Sequence, residues 1–356
     1  MTGVSHDRTR RGFASDNYSG VHPEVMDALA RANGGHQTAY GADVYTDRLA
    51  AVFRTHFGDD ALAYPVFNGT GSNVTALQSM LPRWGAVICS SVAHIHTDEN
   101  GAPERIGGLK LLPVECPDGK LTPELVASEA WGWGDVHRAQ PLVVSITQTT
   151  EIGTLYTVEE IRAITRQAHE LGMRVHMDGA RASNAAAALD APLRAFTTDA
   201  GVDVLSFGGT KNGMMFGEAI VVLDPDASYG LDYLRKSNMQ LASKMRFVSA
   251  QLLALLEGDL FLRNARRSNA MAARLRHALE TGIDAGMLPG VEFTQPTQSN
   301  AVFASLPAAV AERLRGRFPF YDWDAARGEV RWMCGFDTEA EDIDDFVEAL
   351  TSELVA

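Results

Sequence analysis

An α/β fold with a mostly parallel sheet flanked by helices, followed by a smaller C-terminal α+β part, is what this sequence predicts. Three observations carry the expectation. Short apolar runs of strand length alternate with helix-period segments through roughly the first 250 residues. Several runs end on polar side chains able to do chemistry: residues 86–90 lead to His94, 141–147 to Gln148, 174–177 to Asp178, and 202–207 to a Gly-rich turn holding Lys211. Beyond residue 250 the alternation gives way to one long helical stretch, two strands and a terminal helix. In sheets of this kind ligands bind beyond the strand C-termini.

Along the chain, residues 1–12 read as a polar, basic arm. A large domain over 13–250 and a small one over 251–356 follow, a division that suits 356 residues. Val25, Met26 and Leu29 lie at helical spacing, and Gly34-Gly35 stops that helix; Leu49, Val52 and Phe53 mark a second. Asn68-Gly-Thr-Gly-Ser-Asn73 separates an apolar run at 64–67 from a helical pattern at Val74, Leu77 and Leu81. Main-chain N–H groups at such a helix start suit a phosphate, though the same residues make an ordinary N-cap turn. Residues 109–114 read as a further strand. Thr157-Val-Glu-Glu160 is a capping box opening a helix through Ile161, Ile164, Ala168 and Leu171, closed by Gly172. Apolar runs at 202–207 and 219–223 flank the Lys211 turn. In the small domain, strands at 300–305 and 329–333 precede a helix at 341–355.

Composition narrows the function. Hydrophobic residues make up 46% of the chain and charged residues 21%, as in soluble globular proteins. A net charge of −14 argues against nucleic acid or an anionic membrane surface as partner. No apolar run approaches the roughly 20 residues of a membrane span, and no secretory signal is visible. The 3 cysteines, Cys89, Cys116 and Cys334, are scattered and form no C-x-x-C, which fits a reducing cytoplasm.

Lys211 stands between buried strands, where desolvation yields the neutral amine that attacks carbonyls; the plain alternative is a solvated loop lysine. Asp178 reads either as a helix cap or as the carboxylate that keeps a pyridine nitrogen protonated. Arg181 and Arg331 suit a substrate carboxylate, bound by a bidentate fork, or else an internal ion pair. His94 reads as a ring-stacking or a structural histidine. His94, His96, Asp98 and Glu99 also form a pattern seen in zinc sites, with His137 and His176 unclustered. No C-x-x-C or H-E-x-x-H accompanies them, and no metal is expected.

Taken together, Phe13-Ala-Ser-Asp-Asn-Tyr-Ser-Gly20, Asn68-Gly-Thr70, Ala93-His94, His176-Met-Asp-Gly-Ala-Arg181 and Gly208-Gly-Thr-Lys-Asn-Gly213 have a recognisable order and spacing. The chain resembles the low-specificity L-threonine aldolases of the aromatic amino acid β-eliminating lyase/threonine aldolase family, from about residue 13 to its end. The resemblance implies fold type I and pyridoxal 5′-phosphate. It makes Lys211 the Schiff-base lysine, Asp178 the ring-nitrogen partner and His94 the stacking group. Gly69, Thr70 and Thr210 match the phosphate loop. Ser15, Arg181 and Arg331 match the substrate-carboxylate cradle. Tyr40 and Arg246 match positions that reach a neighbouring subunit's site, in a homodimer or a dimer of dimers. Many members carry a histidine after the strand that here ends at Thr147; this chain has Gln148-Thr-Thr-Glu151. The candidates for the base at the substrate hydroxyl are therefore His94, Glu151 and His96, in that order. The implied reaction is retro-aldol cleavage of threonine, allo-threonine or a related β-hydroxy-α-amino acid to glycine and an aldehyde. Its rivals are β-elimination, racemisation or transaldol transfer on the same scaffold, a zinc hydrolase at the His94 cluster, and a non-catalytic ligand-binding relative.

Overall fold

The computed structural model describes residues 6–355, so residues 1–5 of the expected arm lie outside the described part. The chain forms two compact units, one over Gly20–Arg266 and one combining the residues up to Ser19 with those from Arg267 onward. The expected boundary near residue 250 thus falls between Arg266 and Arg267, inside the helix Leu260–Asp284. A helix that runs unbroken across a boundary leaves no composition change to mark it. Residues 13–19 group with the C-terminal unit, because the main chain of Phe13 pairs with Pro319 and Met333.

The larger unit holds a 7-stranded sheet. Its strands are β1 (Leu62–Val66), β2 (Gly85–Ser90), β3 (Lys110–Val114), β4 (Gln140–Thr147), β5 (Arg174–Gly179), β6 (Val204–Gly208) and β7 (Glu218–Val222), in the order β1-β7-β6-β5-β4-β2-β3. The pairs among β2 to β6 are parallel, and β7 alone runs against its neighbours β6 and β1. Every residue of β2, β6 and β7 is buried, as strands covered on both faces must be. The mostly parallel sheet expected from the alternating pattern is therefore present.

The helices start and stop for local reasons. Thr157 and Glu160 close the expected capping box on the helix Val158–Glu170, which buries Ile161, Ile164 and Ala168. Asp43 caps Val44–Phe57, and Asn68 caps Gly69–Met80. The expected long helical stretch is broken in two, into Arg246–Leu256 and Leu260–Asp284. The smaller unit holds a second sheet of β8 (Glu292–Phe293), β9 (Ala301–Ser305), β10 (Tyr321–Asp324) and β11 (Glu329–Met333), ordered β10-β11-β9-β8 and antiparallel throughout. Its core gathers Trp332 and Phe346 with Phe13.

Candidate active site

The C-terminal edge of the parallel strands concentrates the polar side chains. Thr147 and Asp178 are Cα partners on β4 and β5, and Asp178 and Ser206 are partners on β5 and β6. One row of the sheet thus ends in a hydroxyl, a carboxylate and a second hydroxyl. Two residues earlier on β5, His176 is bound on both ring nitrogens, by Ser145 Oγ at 2.9 Å and Ser206 Oγ at 3.0 Å. Burial pushes its pKa down to about 4, so it stays neutral near pH 7, with both ring nitrogens engaged inside the sheet.

Asp178 is buried and held at both oxygens. Oδ1 accepts from Ala180 N–H at 2.9 Å, and Oδ2 from Asn73 Nδ2 at 2.8 Å. Asn73 Nδ2 also donates to Glu99 Oε1 at 2.9 Å, and the same oxygen lies 2.9 Å from His94 Nδ1. A chain of buried polar groups thus runs from His94 through Glu99 and Asn73 to Asp178. Its bond to Glu99 raises the His94 pKa, against the pull of burial. His94 also feels Asp178 as an attractive charge and Lys211 as a repulsive one, which places all three in one electrostatic neighbourhood.

Glu151 joins this group from the loop after β4. Its Oε1 accepts from the His94 N–H and from Thr147 Oγ1, both at 2.8 Å. Its Oε2 is sealed from solvent and has no hydrogen-bond partner among the described residues. Burial drives its pKa up to about 7. Gln148, by contrast, turns away from the site. Its amide exchanges two bonds with the main chain of Tyr156, at 2.9 and 3.1 Å, and so pins the loop. His96 and Asp98 are exposed, and Glu99 holds His94 through Oε1. Among the described residues no cluster of three His, Cys, Asp or Glu side chains is arranged to hold a metal ion.

Lys211 lies half-buried in the 3-10 turn Thr210–Asn212 between β6 and β7. Asn212 ties the turn down: its Nδ2 donates to Phe261 O at 3.0 Å, and its carbonyl accepts from Asn264 Nδ2 at 2.8 Å. Thr210 Oγ1 accepts from Gly217 N–H at 3.1 Å. Gly208 is required here, since a Cβ on it would collide with the main chain of Ala180. The Lys211 turn is thereby packed directly against the segment that carries Asp178 and Arg181. Arg181, half-buried, stands at the start of the helix Ala182–Leu189.

Gly69 and Thr70 open the helix Gly69–Met80, whose first N–H groups have no partner inside the helix. Asn68 Oδ1 takes the Gly71 N–H at 2.7 Å, and Asn73 of the same helix reaches Asp178. This suits a phosphorylated pyridine: N–H donors and a helix dipole for the phosphate, a buried carboxylate for the ring nitrogen, an imidazole and a lysine beside them.

The remaining predicted residues lie elsewhere. Ser15 and Arg331 belong to the smaller unit, where Arg331 Nη2 donates to Ala14 O at 3.2 Å. Tyr40 is exposed; its N–H donates to Ser243 O at 2.9 Å and Lys236 Nζ lies 4.6 Å from its ring centroid. Arg246 begins the helix Arg246–Leu256, 4.9 Å from the Phe247 ring centroid. Sequence reasoning missed the roles of Asn73 and Glu99. Their only local signal is a polar residue buried in a short helix for Asn73, and the fifth position after His94 for Glu99.

Residues 12–305 match the family model described as β-eliminating lyase. A low specificity L-threonine aldolase of Pseudomonas sp. (strain NCIMB 10558) is 44% identical over 329 residues, covering 92% of this chain and 93% of that protein. The one from Pseudomonas aeruginosa is 44% identical over 337 residues, covering 94% and 95%. A solved structure of Leishmania major threonine aldolase superposes with a TM-score of 0.89 at 31% identity, over 97% of this chain and 100% of that one. Aspartate aminotransferase from Thermus thermophilus shares the fold at a TM-score of 0.67 and 19% identity, over 96% of this chain and 90% of that one.

Proposed function

The chain belongs to the β-eliminating lyase family, and we propose that it uses pyridoxal 5′-phosphate to cleave L-threonine and related β-hydroxy-α-amino acids to glycine and an aldehyde. The observation that carries the reading is the convergence of His94, Glu151, Asp178 and the Lys211 turn at one sheet edge, within a chain 44% identical to curated low specificity L-threonine aldolases. Bound there, the cofactor supplies an electron-poor ring that accepts the electron pair released as the Cα–Cβ bond breaks.

Each residue then has a task. Lys211 provides the amine that holds the cofactor. Asp178, with both oxygens already oriented by Asn73 and Ala180, keeps the ring nitrogen protonated. His94 covers the ring, its orientation set by Glu99. Gly69 and Thr70 present main-chain N–H groups to the phosphate, and Thr210 braces the lysine turn. Arg181 binds the substrate carboxylate, and Ser15 and Arg331 are assigned the same task on the strength of the resemblance.

Glu151 is the base. Its free Oε2 takes the proton of the substrate β-hydroxyl, the oxygen forms a carbonyl and the aldehyde leaves as Cα–Cβ breaks. Glu151 is favoured over His94, whose Nδ1 is committed to Glu99, and over His96, which is exposed. A pKa near 7 lets one carboxyl both accept and return a proton close to neutrality.

We also propose self-association, with Tyr40 and Arg246 reaching a neighbouring subunit's site; a mass measurement in solution tests it. None of the described helices is long and apolar enough to cross a membrane, and a cytoplasmic location is proposed on cysteine usage. The deciding experiment is a visible spectrum of the purified protein with pyridoxal phosphate, followed by product analysis on threonine, allo-threonine, serine and phenylserine. Glycine plus aldehyde is expected, and Lys211→Ala is expected to lose both the visible band and turnover. Pyruvate and ammonia as products, or an intact band in that variant, would overturn the assignment.

A further inference from the structure

Glu218 is a buried carboxyl that the proposed reaction leaves without a task. It opens β7, with Gly208 of β6 on one side and Val66 of β1 on the other as Cα partners. It is 7% exposed. Its Oε2 accepts from the Gly209 N–H at 2.5 Å, two residues before Lys211. Burial pushes its pKa up to about 7, while hydrogen bonds from Thr210 and Gly209 and the charge of Lys211 pull the other way. Other charged groups nearby are the buried Arg235, whose Nη1 donates to Pro65 O at 3.3 Å beside Val66, and Asp178, on the segment packed against Gly208. The strand Val204–Gly208 and the helix Gly69–Met80 contain no ionisable side chain, β1 contributes only Tyr64, and the helix Arg246–Leu256 only Arg246.

A buried carboxylate without a cation or several donors is costly, and β-branched or apolar residues suit a central strand better. Here the donors come from the Gly209–Thr210 segment and the cation from Lys211. We propose that Glu218 is the positioning residue of Lys211: its carboxylate anchors the lysine turn through main-chain N–H groups and stabilises the Lys211 ammonium, setting the pH at which the free amine becomes available. This rests on the reading of Lys211 as the cofactor lysine. The coupling is reciprocal, since a cation that favours an ionised carboxyl is itself favoured by it.

The test is made on the full chain stripped of cofactor. The rate at which the visible band appears on adding pyridoxal phosphate is followed against pH, because only the neutral amine reacts. Glu218→Gln keeps an acceptor of the same shape and removes the charge. Its rate profile is expected to move to lower pH by roughly one unit. Glu218→Asp keeps the charge and is expected to stay near the wild-type midpoint. An unmoved midpoint in Glu218→Gln, with a native circular dichroism spectrum, would overturn the proposal. Should the variants not fold, infrared titration of wild type against Lys211→Ala decides it without the cofactor. Loss of the ammonium is expected to keep one more carboxyl protonated to higher pH, and identical carboxyl titrations would sink the idea. A wild type that forms no visible band would instead overturn the proposed function, and the infrared comparison would still decide the role of Glu218.

Discussion

The two ends of the central sheet treat buried charge in opposite ways. At the N-terminal edge of the parallel strands, Asp203 is 2% exposed and has every bond it needs. His169 Nε2 lies 2.9 Å from its Oδ2, the Val175 N–H donates to the same oxygen at 2.6 Å, and Arg174 bridges it to Asp224, at 3.4 and 2.7 Å. At the C-terminal edge, Glu151 Oε2, Glu99 Oε2, Asn73 Oδ1, Ser72 Oγ and Ser183 Oγ are buried without a partner among the described residues. A folded protein leaves few such groups open, because each costs on the order of 1–3 kcal/mol. The same sheet therefore has a closed end, where pairing stabilises the fold, and an open end, where lone pairs are kept for a ligand.

Substitutions at the two ends separate these roles. The largest effect is expected at the open end. Glu151→Gln should lower kcat by roughly two to four powers of ten, as loss of a general base does. In the wild type kcat should rise with pH through about 7, since the ionised carboxylate is the active form; in the variant that limb should vanish. A retained limb in the pH–rate profile would move the base elsewhere.

Next comes the closed end. Asp203→Asn weakens the pairing of a buried carboxylate with two part-exposed cations and should cost about 1–2 kcal/mol in denaturant melts while leaving kcat of the folded fraction unchanged. The bond to Asp203 raises the His169 pKa, so this pairing contributes fully below the ordinary imidazole range. It fades as the pH rises through the raised value, so the variant's deficit should narrow in alkaline melts.

An effect of opposite sign on stability is expected from Glu151→Gln. The folded pKa of Glu151 lies above its unfolded value, so ionising it costs stability as the pH rises from the ordinary carboxylate range to about 7. The variant should gain stability above that pH and nothing in acid. A variant less stable than wild type at pH 8 would contradict the open-end description. The smallest effect belongs to Thr147→Val. Losing its hydroxyl bond to Glu151 should move the kcat limb to higher pH by roughly a few tenths of a unit.

How much of this was readable follows from sequence distance. Lys211 and His94 sit a few residues past a strand and Asp178 is the penultimate residue of one, so the strand-then-turn pattern marks them one at a time. The Thr157 capping box and the Asn68 helix start are likewise local. Gln148 shows the limit: the same pattern marks it, yet its amide is bound to Tyr156 and serves the loop. Glu99 and Asn73 escape because their roles depend on partners 26 and 105 positions apart along the chain.

The sequence by itself determined the alternation of buried strands and amphipathic helices, the capping signals, and the lysine, carboxylate and imidazole at strand ends. These follow from periodicity and backbone chemistry within about ten residues, which no distant contact needs to supply. Only the tertiary structure decided which acids are paired and which are left open. Strand order sets Glu218 beside Gly208, sends the Glu151 carboxylate to the His94 main chain, and closes Asp203 on Arg174 and His169. The reason is desolvation: the state of a buried charge is set by every group that surrounds it, and those groups come from all over the chain.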